Sequence, residues 1–157
     1  MPHSHNWPAR RQRAFTLIEI AVVVMIIGVL IALTLPGYRR IHLKSQATAV
    51  TNDLRSFANS FINYNLSSGW PSGGYGPGVI PPEMTGVLSN AFTQSTPIGG
   101  NYEWLVDTGA GKAVLKVSNV NNDVDLLEMV DGMIDDGNLS TGSLTVSGPD
   151  LIYVIEK

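Results

Sequence analysis

The 157-residue chain contains no cysteine. This absence excludes disulfide bonds, zinc sites built on thiolates and catalytic thiols together. An exported domain of this composition has to hold its C-terminal end by sheet pairing and packing. The apolar run from Leu151 to Ile155 is suited to that role, because it is rich in residues that favour strands.

Basic residues are scarce in the second part of the chain. Residues 45–157 contain four basic residues against twelve acidic ones, which gives this region a net charge of −8. A surface of that sign repels the phosphate backbone of DNA and RNA. We therefore expect no nucleic-acid partner.

Charge is almost absent between Phe15 and Leu35, where Glu19 is the only charged side chain in 21 residues. As a helix this run would be roughly 32 Å long at about 1.5 Å per residue, which matches the hydrocarbon core of a bilayer. The run therefore predicts one transmembrane helix.

Residues 1–14 contain three arginines and no acidic residue. They read as a leader, but the apolar run that follows is too long for a secretory signal peptide and carries an internal acid. Positive charges on the two sides of the run are nearly balanced, and the leader's charges lie closer to its edge. We place the leader in the cytoplasm and the C-terminal domain outside it. The positive charges on the leader side are Arg10, Arg11 and Arg13, and those on the other side are Arg39, Arg40 and Lys44.

The segment Arg13-Ala14-Phe15-Thr16-Leu17-Ile18-Glu19, with the aliphatic run behind it, closely resembles the prepilin cleavage site of type IV pilins and type II secretion pseudopilins. The resemblance implies that a membrane-embedded prepilin peptidase cuts between Ala14 and Phe15 and methylates the new amino terminus of Phe15. The family usually has glycine where this chain has Ala14, which puts the rate of processing in question. Pro36 lies where many members have a helix-kinking proline.

Two stretches of the C-terminal part also resemble the globular domains of bacterial pilin-like proteins: Pro97 to Trp104 and Asp131 to Gly142. The likeness therefore reaches both ends of the chain. It implies identical or related pilin subunits, the prepilin peptidase, an inner-membrane assembly platform and membrane lipid as partners. The implied location is the bacterial inner membrane as a single-pass protein, and then a periplasmic or cell-surface filament.

Glu19 is costly inside a membrane, because a carboxylate in hydrocarbon either takes up a proton or finds a positive partner. One interpretation is an acid near the interface, protonated or reaching toward water. The other follows from cleavage before Phe15, which would create an amino group one helical turn away. In the family, this carboxylate pairs with the terminal amine of a neighbouring subunit, which would set the register between helices.

After Pro36 and Gly37 the sequence becomes amphipathic, with a stripe of Val50, Leu54, Phe57 and Phe61 at helical spacing. We predict one long helix over residues 15–65, kinked or locally melted at Pro36 and Gly37. A glycine- and proline-rich connection over 67–82 should follow it. The remaining predicted elements are a short helix over 82–92, strands over 101–106, 113–118, 143–147 and 151–155, and a helix over 120–134.

These elements predict an α+β fold in which a long N-terminal α-helix packs its second half on a small antiparallel β-sheet. The predicted divisions are a leader over residues 1–14, a hydrophobic transmembrane and filament-core helix over 15–37, an amphipathic helix over 38–66 and a globular head over 67–157.

A cluster of acidic residues near the C-terminus could supply oxygen ligands to calcium, which major pseudopilins of type II secretion bind in a C-terminal loop. The candidate ligands are Asp131, Asp135, Asp136 and Asn138. Their spacing does not match an EF-hand, and a solvated turn between a helix and a strand explains the same residues. The turn is the preferred interpretation, and no other cofactor is expected.

The sequence offers no basis for an enzyme. After cleavage the chain would keep one histidine, His42, and no nucleophile motif accompanies it. We therefore predict a structural subunit of a type IV filament. The alternative is a membrane-tethered extracytoplasmic binding or enzymatic domain that uses its first helix only as an anchor.

Overall fold

The computed structural model describes residues 15–107, 112–121 and 123–156. The predicted leader, including Ala14 on one side of the predicted cleavage site, lies outside the described residues. Two compact units divide the chain between Arg39 and Arg40. The predicted borders at residues 14, 37 and 66 stay predictions.

The first helix, α1, spans Leu17–Ser68 and contains 52 residues. It ends at Gly69, whose φ of 82° lies in the left-handed region and whose N–H donates to the Asn65 carbonyl at 3.0 Å. The helix is continuous through Pro36 and Gly37, so the chain is not melted there. A kink at these two residues stays a prediction.

In the first unit, the aliphatic side chains of α1 from Leu17 to Leu33 are exposed on all sides of the helix. The part of the chain that the structure describes has one helix that is long and apolar enough to cross a membrane, and its best 18-residue window has a mean hydropathy of 2.9. A helix that is apolar all round needs lipid or other helices around it.

The second unit contains a four-stranded antiparallel sheet, as predicted. The strands are β1 (Asn101–Asp107), β2 (Lys112–Ser118), β3 (Leu144–Ser147) and β4 (Asp150–Glu156), and their order in the sheet is β1-β2-β4-β3. Alternate residues of each strand face the core because side chains alternate across a sheet. Trp104 in β1, Leu115 in β2 and Tyr153 in β4 occupy one such row.

The predicted stripe of α1 packs on the inner face of this sheet. Phe61 stacks on Trp104 with ring centroids 3.7 Å apart and planes within 6°, and Phe57 meets Tyr102 edge to face at 4.9 Å. The Tyr102 hydroxyl donates to Asp53 Oδ2 at 2.9 Å. Burial and the nearby Asp53 carboxylate raise the pKa of Tyr102. This packing confirms the predicted α+β fold.

The predicted short helix over 82–92 is wrong. The structure has two 3₁₀ turns instead, Pro82–Met84 and Asn90–Thr93. Gly86 separates them with a φ of 81°, a backbone conformation that a continuous helix does not contain. The apolar residues of the segment still reach the core, since Met84 and Phe92 are fully buried.

The second α-helix, α2, spans Val124–Ile134 and starts four residues later than predicted. The residues before it use their backbone for other contacts: the Val120 N–H donates to the Pro149 carbonyl and the Asn121 N–H to the Ile98 carbonyl. The Asp123 side chain then accepts a hydrogen bond from the Leu126 N–H and caps the helix.

Candidate functional site

Glu19 takes part in a capping box at the start of α1. Its Oε2 accepts hydrogen bonds from the Thr16 N–H and the Thr16 hydroxyl, both at 3.1 Å, and the Glu19 N–H donates to Thr16 Oγ1 at 3.3 Å. A threonine followed three residues later by glutamate has this geometry at helix starts, where the carboxylate also meets the positive end of the helix dipole. Sequence reasoning missed Thr16, although the Thr-x-x-Glu spacing signals it.

The capping box leaves half of the carboxylate free. Glu19 Oε1 accepts no hydrogen bond from any residue in the described ranges. Phe15 precedes Thr16 directly, and its side chain is 77% exposed. The capping box holds the Glu19 carboxylate beside the first backbone nitrogens of the described chain. Oε1 remains available to accept a hydrogen bond from a further donor.

A second candidate site lies where α2 ends, and it contains three of the four predicted calcium ligands. Oxygens of Asp131, Asp135 and Asp136 all lie within 4.8 Å of one another. Asp131 is fully buried, and among the residues that the structure describes none lies within hydrogen-bonding geometry of its two carboxylate oxygens. Burial, helped by the negative charges of Asp136 and Asp135, raises the pKa of Asp131.

The other acidic residues of this turn are held by the chain that follows them. Asp136 accepts hydrogen bonds from the Asn138 N–H and the Thr141 hydroxyl, both at 2.8 Å, and these bonds lower its pKa. Asp135 accepts from the N–H and the hydroxyl of Ser143. These contacts confirm that the segment forms a turn, since each carboxylate stabilises the backbone a few residues ahead.

Gly142 and Asn138 complete the turn. Gly142 has a φ of 86°, in the left-handed region that favours glycine, and a Cβ at this position would also clash with the Asp135 carboxylate. Asn138 Oδ1 accepts a hydrogen bond from the Ser140 N–H at 3.2 Å. Asn138 therefore has a place in the turn, and its role as a metal ligand stays a prediction.

The acidic turn fits a hard divalent cation. Its buried carboxylate, that of Asp131, has no hydrogen-bond partner within residues 15–107, 112–121 and 123–156, and burying such a group without compensation is costly. Calcium prefers several carboxylate and carbonyl oxygens in a flexible loop, which is the donor set that Asp131, Asp135 and Asp136 provide.

Comparisons with known proteins find a family motif near the N-terminus and relatives that match most of the chain. The Prokaryotic N-terminal methylation motif matches residues 9–35. A fimbrial protein of Neisseria meningitidis is 31% identical over 116 residues, which cover 72% of this chain and 61% of that protein. The chain thus spans less than two thirds of the length of this relative.

Two further similarities cover about two thirds of the chain or more. The structure of the major type IV pilin PilA1 from Clostridium difficile has the same fold, with a TM-score of 0.55 and 16% identity over 73% of this chain and 97% of that one. The type II secretion system core protein G of Dickeya chrysanthemi is 31% identical over 110 residues, which cover 64% of this chain and 71% of that protein. The chain belongs to the family of type IV pilins and type II secretion pseudopilins.

Proposed function

We propose that the chain is a structural subunit of a type IV filament, the class that includes pili and secretion pseudopili. The observation that carries this proposal is the acid at the start of α1. Glu19 lies in the first turn of α1, and the aliphatic side chains of this helix from Leu17 to Leu33 are exposed on every side. In the membrane, lipid covers this apolar surface, and in a filament neighbouring copies of the same helix cover it.

The half-free carboxylate supplies the assembly contact. Removal of the leader between Ala14 and Phe15 leaves a positive amine on Phe15, and Glu19 Oε1 is open to the corresponding amine of another subunit. An ion pair in a low-dielectric helix bundle fixes how far one helix is shifted along its neighbour. In this proposal the prepilin peptidase and an inner-membrane assembly platform act on the chain, the C-terminal unit is extracytoplasmic, and no residue is catalytic.

Processing is tested by the mass of the chain isolated from cells that express a prepilin peptidase. We expect the mass of residues 15–157 plus one methyl group, because Phe15 follows the cut. Sheared and purified filaments should contain the same species. The matched variant Ala14→Gly, which restores the residue usual in the family, should be processed at least as fast as the parent. An intact chain starting at Met1 in filaments would contradict the proposal.

We also propose that the acidic turn binds calcium. The support is the fully buried Asp131, whose two oxygens accept no hydrogen bond from the described part of the chain. Bound calcium would offset two of the three negative charges of Asp131, Asp135 and Asp136 and tie the end of α2 to the segment leading to β3. Calcium at a hundred times its dissociation constant should raise the free energy of unfolding by about 2.7 kcal/mol.

Thermal unfolding of the full chain in EDTA and in calcium tests this site. We expect Asp131→Asn to abolish the calcium-induced rise in melting temperature, and to be more stable than the parent in EDTA because it removes a buried, unpaired charge. Glu128→Gln is the matched control, since Glu128 is an exposed acid on the same helix, and it should keep the full response. A calcium response that survives in Asp131→Asn would refute the site.

A further inference from the structure

A cavity of about 400 Å³ lies in the second unit between α1 and α2. Arg40 and Lys44 line it from α1, where they are one helical turn apart, and Met129, Gly132 and Met133 line it from the last two turns of α2. None of the carboxylates of the acidic turn lines the cavity.

The two cations of the cavity have no counter-charge. Neither Arg40 nor Lys44 forms a salt bridge with any residue that the structure describes. Two other basic residues of this unit are engaged: Lys116 pairs with Glu103 at 2.7 Å, and the Arg55 guanidinium donates to the Met133 carbonyl. Two unpaired cations on one face attract an anionic group.

The opposite wall of the cavity is apolar. Met129 and Met133 are half-buried, and their flexible thioethers adapt to irregular apolar shapes. Gly132 leaves a gap between them in the surface of α2, and a Cβ there would have only one neighbour within 4 Å, the Gly137 Cα at 3.8 Å. The walls thus suit a ligand that joins an anionic group to hydrocarbon.

The two basic residues that line the cavity, Arg40 and Lys44, are close in sequence to the predicted transmembrane run. Arg40 follows Leu35 by five residues and Lys44 follows it by nine. At about 1.5 Å per residue, Arg40 lies roughly 8 Å of helix beyond Leu35, at the outer edge of the headgroup layer that extends about 5–8 Å beyond the hydrocarbon core. Lys44 lies about one helical turn farther out, and its long side chain can reach back toward that layer. Anionic phospholipid is therefore the amphiphile within reach of these side chains.

We propose that this cavity binds the headgroup of an anionic phospholipid, with the phosphodiester between Arg40 and Lys44 and the glycerol carbons against Met129 and Met133. The lipid would hold the second unit at the membrane surface before assembly. The proposal depends on the membrane anchoring of the chain and not on its assembly into filaments. A chain that binds lipid but never assembles would leave this proposal intact and refute the other.

The test is native mass spectrometry of the full chain released from nanodiscs that contain equal amounts of phosphatidylglycerol and phosphatidylcholine. The parent should retain phosphatidylglycerol about ten-fold over phosphatidylcholine. The double variant Arg40→Gln, Lys44→Gln should lose this preference. Gly132→Leu should lose it as well, because leucine fills the cavity without changing its charge.

Arg39→Gln is the matched control, because Arg39 is adjacent to Arg40 in sequence and does not line the cavity. It should keep the preference. An equal loss in Arg39→Gln, or full preference in Gly132→Leu, would show that only diffuse charge attracts the lipid and would overturn the site. Displacement of the lipid by inorganic phosphate would assign the cavity to a free anion. Crosslinking of Arg40 to an acidic residue of a second subunit in place of lipid would also overturn it.

Discussion

Replacement of Glu19 by alanine is expected to abolish filament assembly while the chain is still processed and held in the membrane. The substitution removes the only acid in the apolar run and leaves the amine of a neighbouring subunit without a partner. Breaking a buried ion pair on one side costs about 3–5 kcal/mol, which corresponds to a loss of assembled subunit of roughly two orders of magnitude or more. Quantification of the chain in sheared filaments and in membranes, with its processing verified by mass, measures the effect.

Glu19→Gln separates the charge of this residue from its role in the capping box. Glutamine also closes a capping box with Thr16, so the start of α1 keeps its local hydrogen bonds while the negative charge is lost. We expect Glu19→Gln to fail in assembly as Glu19→Ala does. If only the glutamine variant assembles normally, assembly requires the hydrogen bonds of the capping box and not the negative charge. Normal assembly of both variants would favour the membrane-tethered domain.

The elements with strong periodicity could be predicted from the sequence. The stripe of α1 from Val50 to Phe61 repeats every three or four residues, and it packs on the sheet as expected. The strands alternate and are bounded by turn residues. The segment around Pro82 was mistaken for a helix because its apolar spacing looks helical, whereas the positive φ of Gly86 depends on the fold around it.

The sites differ in how far local sequence determines them. The Thr16–Glu19 pair is a four-residue pattern, so the sequence contains all the information needed to predict it. The burial of Asp131 has no local signal, because it depends on how α2 packs on the rest of the unit. The cavity at Arg40 forms between residues about 90 positions apart in the chain. The periodicity of a single helix does not predict which distant residues come together.

We expect Trp104 to contribute more than any other residue to the stability of the packing between α1 and the sheet. Its side chain is 1% exposed, stacks on Phe61 and donates a hydrogen bond from Nε1 to the Pro71 carbonyl at 3.1 Å. Trp104→Ala should lower the free energy of unfolding by about 3–5 kcal/mol, because it leaves a cavity under α1. That is a large part of the 5–15 kcal/mol or so that typically stabilises a domain.

Urea unfolding of the full chain in detergent, followed by near-UV circular dichroism, measures this loss. Trp104→Phe is the matched control, since it keeps an aromatic ring against Phe61 while it removes the hydrogen bond to Pro71 and a small part of the buried ring volume. It should cost about 1–3 kcal/mol, much of it from the carbonyl left without a donor. Hydrogen exchange should then quicken in β1 and β2 of Trp104→Ala, because both strands lose their packing on α1. An alanine variant no less stable than the phenylalanine variant would show that the stacked ring contributes nothing to holding α1 on the sheet.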